Sequence, residues 1–216
     1  METHRYVIFG PQGSGKGTQA ELLAAELNIP HIASGDLLRV EVARHTALGK
    51  RLADDINKGH LIPDKEAIAL LTHELNRPEA IRGYVLDGFP RTLVQAYFLE
   101  EFAPPVRVIM LELNDEDAVK RLSGRRICSN CQTAYHLQYQ PPKNEKKCDS
   151  CGGELITRAD DSEAAVKARL AFYHSLTEPM ADYYADLNKL IRLSALGTIY
   201  EVKVEIKKLL GIPRGV

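Results

Sequence analysis

Long hydrophobic runs are missing from this 216-residue chain. The N-terminal METHRYVIFG offers only Tyr6 to Phe9 before Gly10, too short for a secretion signal or a bilayer span, so the expected setting is the cytosol. An excess of one charge is missing too: 28 basic residues face 29 acidic ones, a formal net charge of -1. That balance removes any global argument for a nucleic-acid or membrane surface and makes every basic site a local matter. Internal repeats and low-complexity tracts are absent. Cysteine is absent everywhere except in CSNCQTAYHLQYQPPKNEKKCDSC, from Cys128 to Cys151. The chain is long enough to bury its own core, so these four cysteines are not needed as staples for a small fold.

What the sequence does contain is an alternation of apolar β-branched runs with helical patterns. RYVIF reads as a buried strand, then comes a glycine-rich turn, then the helical KGTQAELLAAEL. Tyr84 to Leu86 form a second strand, ending at Asp87 before a turn at Gly88 and Pro90, and Thr92 with Gln95 has capping-box spacing. Val106 to Leu113 is apolar at nearly every position, as a central parallel strand covered on both faces must be. Asn114 and the acidic DED after it open another helix. SEAAVKARLAFYHSLTEPMADYYADLN reads as one long helix bent at Pro179, LIRLSA as a last strand, and Thr198 with Glu201 as the cap of a C-terminal helix. The expected fold class is α/β, a P-loop NTPase-type parallel sheet with helices on both faces. Two segments break the alternation. Residues 33–63 are helical without a strand, and 125–159 hold the cysteines with no clear period.

GPQGSGKGTQ, Gly10 to Gln19, carries GxxxxGK between a strand and a helix, the context that gives this spacing its meaning. Its glycines let successive backbone N–H groups turn inward around an anion, the helix N-terminus adds partial positive charge, and Lys16 reaches outer phosphates. The generic motif places Ser or Thr directly after the lysine to hold Mg²⁺. Here Gly17 stands there, Thr18 follows, and Asp87 at a strand end becomes the acidic candidate for the metal.

GKGTQ, SGDLLR (Ser34 to Arg39), LDGFPR (Leu86 to Arg91), SGRR (Ser123 to Arg126), TRADD (Thr157 to Asp161) and KARL (Lys167 to Leu170) occur in that order, and together they closely resemble the adenylate kinase family in its long, lid-bearing form. The resemblance implies a core (1–32, 64–124 and 162–216), a helical AMP-binding insertion (33–63) and a lid (125–161). It implies reversible transfer of the ATP γ-phosphoryl group to AMP, with Mg²⁺, by a monomer whose partners are ATP, AMP and ADP. Gly13, Ser14, Gly15, Lys16, Gly17, Thr18, Arg121, Arg125, Tyr135 and Gly197 match ATP positions. Ser34, Arg39, Leu61, Ile62, Gly88, Phe89, Arg91, Gln95, Arg158 and Arg169 match positions around AMP. Lys16, Arg91, Arg125, Arg158 and Arg169 match the catalytic set, and Asp36 and Asp87 the magnesium shell. Asp160 and Asp161 match lid residues that engage arginines on closure. A kinase for another acceptor, UMP or CMP, is the near alternative.

The chemistry is consistent with that set. Phosphoryl transfer needs in-line placement and neutralisation of charge on the moving group, which forked guanidiniums supply. The acceptor phosphate is already mostly dianionic at neutral pH, so no general base is required and none of the seven histidines is expected to be catalytic.

Cys128, Cys131, Cys148 and Cys151 have the spacing CxxC, sixteen residues, CxxC, which points to a tetrahedral four-thiolate structural Zn²⁺ site rather than to two disulfides. His136 is an alternative ligand. A ribbon of this kind can also grip nucleic acid. Between 125 and 161, however, six basic residues meet five acidic ones, a weak footprint for a phosphate backbone, so no nucleic-acid partner is expected. Tyr135 and Tyr139 could stack on bases, but with no dense basic patch they are expected to pack inside the lid.

Overall fold

The structure is a computed structural model and describes residues 4–213. Strands β1 (His4–Phe9), β2 (His31–Ala33), β3 (Gly83–Asp87), β4 (Arg107–Glu112) and, later in the chain, β8 (Leu190–Ser194) form one parallel sheet in the order β2-β3-β1-β4-β8. Between them run α1 (Lys16–Leu27), α2 (Ser34–Ala43), α3 (Ala47–Lys58), α4 (Asp64–Leu75), α5 (Pro78–Ile81), α6 (Leu93–Phe102) and α7 (Asp115–Ser123). A separate three-stranded antiparallel sheet, β6-β5-β7, is built from β5 (Arg125–Cys128), β6 (Ala134–His136) and β7 (Leu155–Ile156). The chain then returns through α8 (Glu163–Phe172) and α9 (Met180–Asp186) to β8, and closes with α10 (Ile199–Leu209).

The alternation of side chains along β1 explains the layers. Val7 and Phe9 face one way into a cluster with Leu71, Leu86, Leu99 and Tyr184. Tyr6 and Ile8 face the other way, into a cluster with Leu23, Val85, Ile109 and Ile206. Both faces are therefore covered by helices, and the strands can be apolar throughout.

Capping residues fix where helices begin. Asn114 accepts from the Asp117 N–H at 2.8 Å, and Thr198 with Glu201 forms a reciprocal capping box. Thr198→Ala is expected to lower unfolding free energy by about 1 kcal/mol in denaturant titration. Thr92 also caps its helix, through the Gln95 N–H at 3.3 Å, but the box is not reciprocal: the Gln95 side chain accepts from the Arg91 N–H at 2.8 Å instead.

At three places the structure adds to or corrects the sequence reading. The three-residue β2, too short to show a period, ends at Ala33, so 33–63 does not lack a strand at its first residue. The aperiodic residues 125–159 hold strands of two to four residues each. The long helix after the cysteine segment departs from α-geometry before Pro179, in a π-turn at Tyr173–Thr177, where the Glu178 N–H bonds to the Tyr173 carbonyl at 2.8 Å. Pro179 has no N–H to continue the α-ladder, so the wider turn comes first and Pro179 opens α9. That turn carries buried Thr177 to the Arg91 carbonyl, 2.9 Å away.

Candidate active site

Register places the key groups. Ile8 pairs with Asp87 and Ala33 with Asp87, so the ends of β1, β2 and β3 converge where α1 begins. Ligands of open parallel sheets sit at this carboxyl edge. The loop from Gly10 to Gly15 turns there under tight constraint. A Cβ at Gly10 would come within 2.5 Å of the Leu111 carbonyl and one at Gly13 within 2.8 Å of the Ala118 carbonyl, whereas Gly15, at φ 81°, faces open space. Gln12 Oε1 and Ser14 Oγ are buried without a partner. Lys16 donates to the Pro11 carbonyl at 3.3 Å, and burial, reinforced by Arg169, Arg91 and Arg125 against the opposing pull of Asp87, lowers it to about 7.

Gly17 now has a physical reason. A Cβ there would lie 3.0 Å from Asp87 Oδ2, so the place where the generic motif puts a hydroxyl is occupied by the Asp87 carboxylate. Asp87 Oδ1 is buried with no partner, a donor atom that fits a hydrated divalent cation. Asp36 is turned differently: its carboxylate pairs with Arg39, and its side chain is 54% exposed.

Five arginines gather around this edge. Arg125 grips the fully buried Asp161 carboxylate with two donors, one at 2.8 Å. Arg169 donates to the Asp160 carbonyl at 3.0 Å and to Asp161 Oδ1 at 3.4 Å, and pairs with the Asp160 carboxylate at 3.0 Å. Arg91 donates through Nε to the Gly88 carbonyl at 2.7 Å. The Nε atoms of Arg39 and Arg158 are buried without partners. Burial, then mutual repulsion, lowers Arg158 to about 10, and the same burial lowers Arg169 to about 10 although Asp160 pulls it up. Burial would raise Asp160, but Arg169, Arg125, Arg158 and Arg39 outweigh it and hold that carboxyl below the usual range. Such crowding of cations is costly in a free protein and is relieved by a polyanion.

Beside the loop, an open cleft of about 760 Å³ is lined by Ser34, Arg39, Leu61, Ile62, Gly88, Phe89, Arg91, Gln95 and Arg169. These are nine of the ten residues matched to AMP in sequence, and Arg158 is the one outside the lining. Ser34 Oγ donates to the Gly88 carbonyl at 2.6 Å, and Gly88, at φ 74°, has no room for a Cβ against that hydroxyl. Asp160 also lines this cleft, which sequence had given only to the lid. His60 lies on the lining as well, with Nδ1 3.2 Å from an Asp55 oxygen.

On the other side Arg121 donates to the Gly13 carbonyl at 3.4 Å and the Ala195 carbonyl at 2.8 Å, tying the loop to the turn that carries Gly197. Its guanidinium lies 5.4 Å from the ring centre of Tyr139, an exposed ring. Tyr139 therefore stands outside the ribbon core, contrary to the expectation that it packs within. Among the described residues no side-chain hydrogen bond or ion pair singles out Thr18.

Tyr135 packs inside the ribbon, as expected. Its ring is buried among Cys128, Cys148 and Leu155, and its hydroxyl accepts from the Asp149 N–H at 2.8 Å while lying 3.4 Å from Cys148 Sγ. The side chain belongs to the ribbon, leaving only the main chain for any nucleotide.

The four cysteine sulfurs all lie within 4.8 Å of one another. Thiolates at ~2.3 Å around one tetrahedral zinc are spaced by about 3.8 Å, so the set fits that ion. The site is made of two copies of one turn. The Cys128 N–H donates to the Thr133 carbonyl and the Gln132 N–H to the Cys128 carbonyl; the Cys148 N–H donates to the Gly153 carbonyl and the Gly152 N–H to the Cys148 carbonyl. Gln132 (φ 60°) and Gly152 (φ 72°) hold the same left-handed position. His136 is excluded as a ligand: Nδ1 accepts from the Gln138 and Tyr139 N–H groups, and Nε2 donates to the Arg121 carbonyl at 2.9 Å.

Comparison with known proteins agrees with this geometry. The family model described as adenylate kinase matches residues 8–189. An adenylate kinase from Methanocella arvoryzae is 45% identical over 94% of this chain and 96% of its own length. Those from Streptomyces avermitilis and Caldicellulosiruptor bescii are 45% and 43% identical, over 92% and 96% of this chain and 93% and 99% of theirs. With the phosphate loop, the arginine cluster and the four-cysteine ribbon in place along one continuous match, the chain belongs to the adenylate kinase family.

Proposed function

We propose that this protein catalyses ATP + AMP ⇌ 2 ADP, maintaining adenine nucleotide balance in the cytoplasm as a monomer. The observation that carries the reading is the placement of Lys16 and five arginines between the phosphate loop and the adjoining cleft, partly offset by Asp36, Asp87, Asp160 and Asp161. Among the described residues no helix is long and apolar enough to cross a membrane.

In this reading the segments 1–32, 64–124 and 162–216 form the core, 33–63 the AMP-binding insertion and 125–161 the lid. The loop amides from Gly13 to Thr18 and Lys16 hold the ATP phosphates, while Arg121 and the Gly197 turn flank the adenine. Ser34, Gly88 and Gln95 border the acceptor, whose phosphate Arg39 and Arg91 fix. Arg125, Arg158 and Arg169 then surround the group in flight, and Asp160 and Asp161 hold them ready beforehand. Asp87 would hold the water shell of Mg²⁺, which supplies charge neutralisation on the donor phosphates, and Asp36 joins it on releasing Arg39. Closing the lid excludes water, the competing acceptor.

Two measurements test this. In a coupled assay with ATP across AMP, GMP, CMP and UMP, AMP is expected to give the highest kcat/KM, and equal or faster turnover of CMP would overturn the choice. ATP binding is also expected to take up protons. Free Lys16 is largely neutral above about 7, and the bound polyphosphate draws its proton back. Calorimetry at pH 8.5 in buffers of differing ionisation enthalpy is expected to show uptake approaching ~1 proton per ATP in this protein and little in a Lys16→Met variant.

A further inference from the structure

Gln95 is a side-chain amide only 3% exposed, on the lining of the acceptor cleft. Both ends of it are already held by groups that tolerate only one orientation. Its Nε2 donates to Asp64 Oδ1 at 2.7 Å, and a carboxylate offers acceptors only. Its Oε1 accepts from the Arg91 N–H at 2.8 Å, and a backbone N–H is a donor only. Rotating the amide by half a turn would set oxygen against oxygen and N–H against N–H, leaving two buried groups unpaired. Asp64 is itself fixed, because the Thr92 hydroxyl donates to the same Oδ1 at 2.9 Å while accepting the Gln95 N–H at 3.3 Å. Asp64 is the first residue of α4, directly after residues 33–63.

We infer that Asp64 is a positioning residue that fixes the polarity of the Gln95 amide, and through it the polarity of the base edge that the acceptor cleft accepts. This rests on the assignment of that cleft to the nucleoside monophosphate. A pinned amide keeps one N–H and one oxygen lone pair for a ligand, in a fixed order. A base presenting a ring-nitrogen acceptor beside an exocyclic amine, as adenine does, matches one order, and a base presenting a ring N–H beside a carbonyl matches the reverse. A site whose buried polar groups are matched by one ligand and left unpaired by its analogue discriminates strongly. Gln95 alone, free to turn over, would serve both.

Inosine monophosphate is the probe, since it differs from AMP only at this edge. The protein is expected to favour AMP over inosine monophosphate by about 100-fold or more in kcat/KM. Asp64→Ala is expected to lower that ratio about tenfold or more, mainly by raising KM for AMP, with KM for ATP unchanged. Asp64→Asn, which keeps a carbonyl oxygen at the same place, is expected to retain the ratio within a few fold. Should the alanine variant fail to fold, Asp64→Ser provides the same comparison, because its hydroxyl suits a helix start but is too short to reach Gln95. Equal losses for both acceptors in the Asp64→Ala protein would reduce the residue to a structural role and overturn the inference, as would a native protein that uses the two acceptors equally. No turnover of AMP by the native protein would instead remove the acceptor assignment, and this inference with it.

Discussion

Replacing Lys16 with alanine is expected to lower kcat by on the order of 10³-fold while leaving the fold intact. The ammonium meets charge that migrates between donor and acceptor, so its loss falls on the chemical step rather than on nucleotide binding alone. Stability separates this outcome from simple damage. The folded state holds the Lys16 proton less tightly than the unfolded chain does, since burial lowers the group from 10.5 to about 7. Between those values the unfolded state binds more protons, so this group makes stability rise with pH, and below about pH 7 its charging cost is carried in full. The Lys16→Ala protein is therefore expected to melt no lower than the native protein at pH 6.5, and its relative gain should shrink as pH approaches 10. Near-native turnover would contradict the role given to Lys16. A collapsed melting temperature would mean that the lysine serves the fold.

The same burial that makes Lys16 expensive was not visible in the sequence, although its position was. GxxxxGK between a strand and a helix identifies the loop because spacing alone sets where the amides point. Long buried strands were legible for a similar reason: Val106 to Leu113 is apolar on both faces because helices cover both faces, and the observed Arg107–Glu112 lies inside that run. Residues whose work depends on distant partners were not legible. Asp64 is an ordinary helix-opening acid until Thr92 and Gln95, 28 and 31 residues away, are folded against it. Tyr139 reads as a packed aromatic until its ring is seen exposed beside Arg121. Gly17 reads as a departure from a motif until Asp87 is seen to fill the space.

The ribbon shows the limit most clearly, because its strands have no independent reason to form. Its buried cluster is Cys128, Tyr135, Cys148 and Leu155, and two of these four belong to the four-thiolate set that fits a metal. So small a core cannot offset the chain entropy of the surrounding segment. Metal thiolates can, since binding free energy at a structural zinc is folding free energy, about 10–16 kcal/mol in small zinc domains. Cys128 is the ligand whose loss should matter most. It is fully buried at the end of β5, its sulfur accepts from the Asn130 and Cys131 N–H groups at 3.4 and 3.5 Å, and Gly153 leaves it no spare room. Cys128→Ser is therefore expected to reduce bound zinc from about one per chain to a small fraction by elemental analysis. The ribbon should unfold in an early transition while the parallel sheet melts near its native temperature, because β5 pairs with β6 and β7 and with no strand of the parallel sheet. Arg125 lies three residues before Cys128 on that strand, so its grip on Asp161 should loosen and kcat/KM for ATP should fall about tenfold or more. Unchanged zinc content together with an unchanged melting profile would defeat the four-thiolate assignment. Lost zinc with unchanged turnover would separate the metal from the placement of Arg125 and leave it a staple of the ribbon alone.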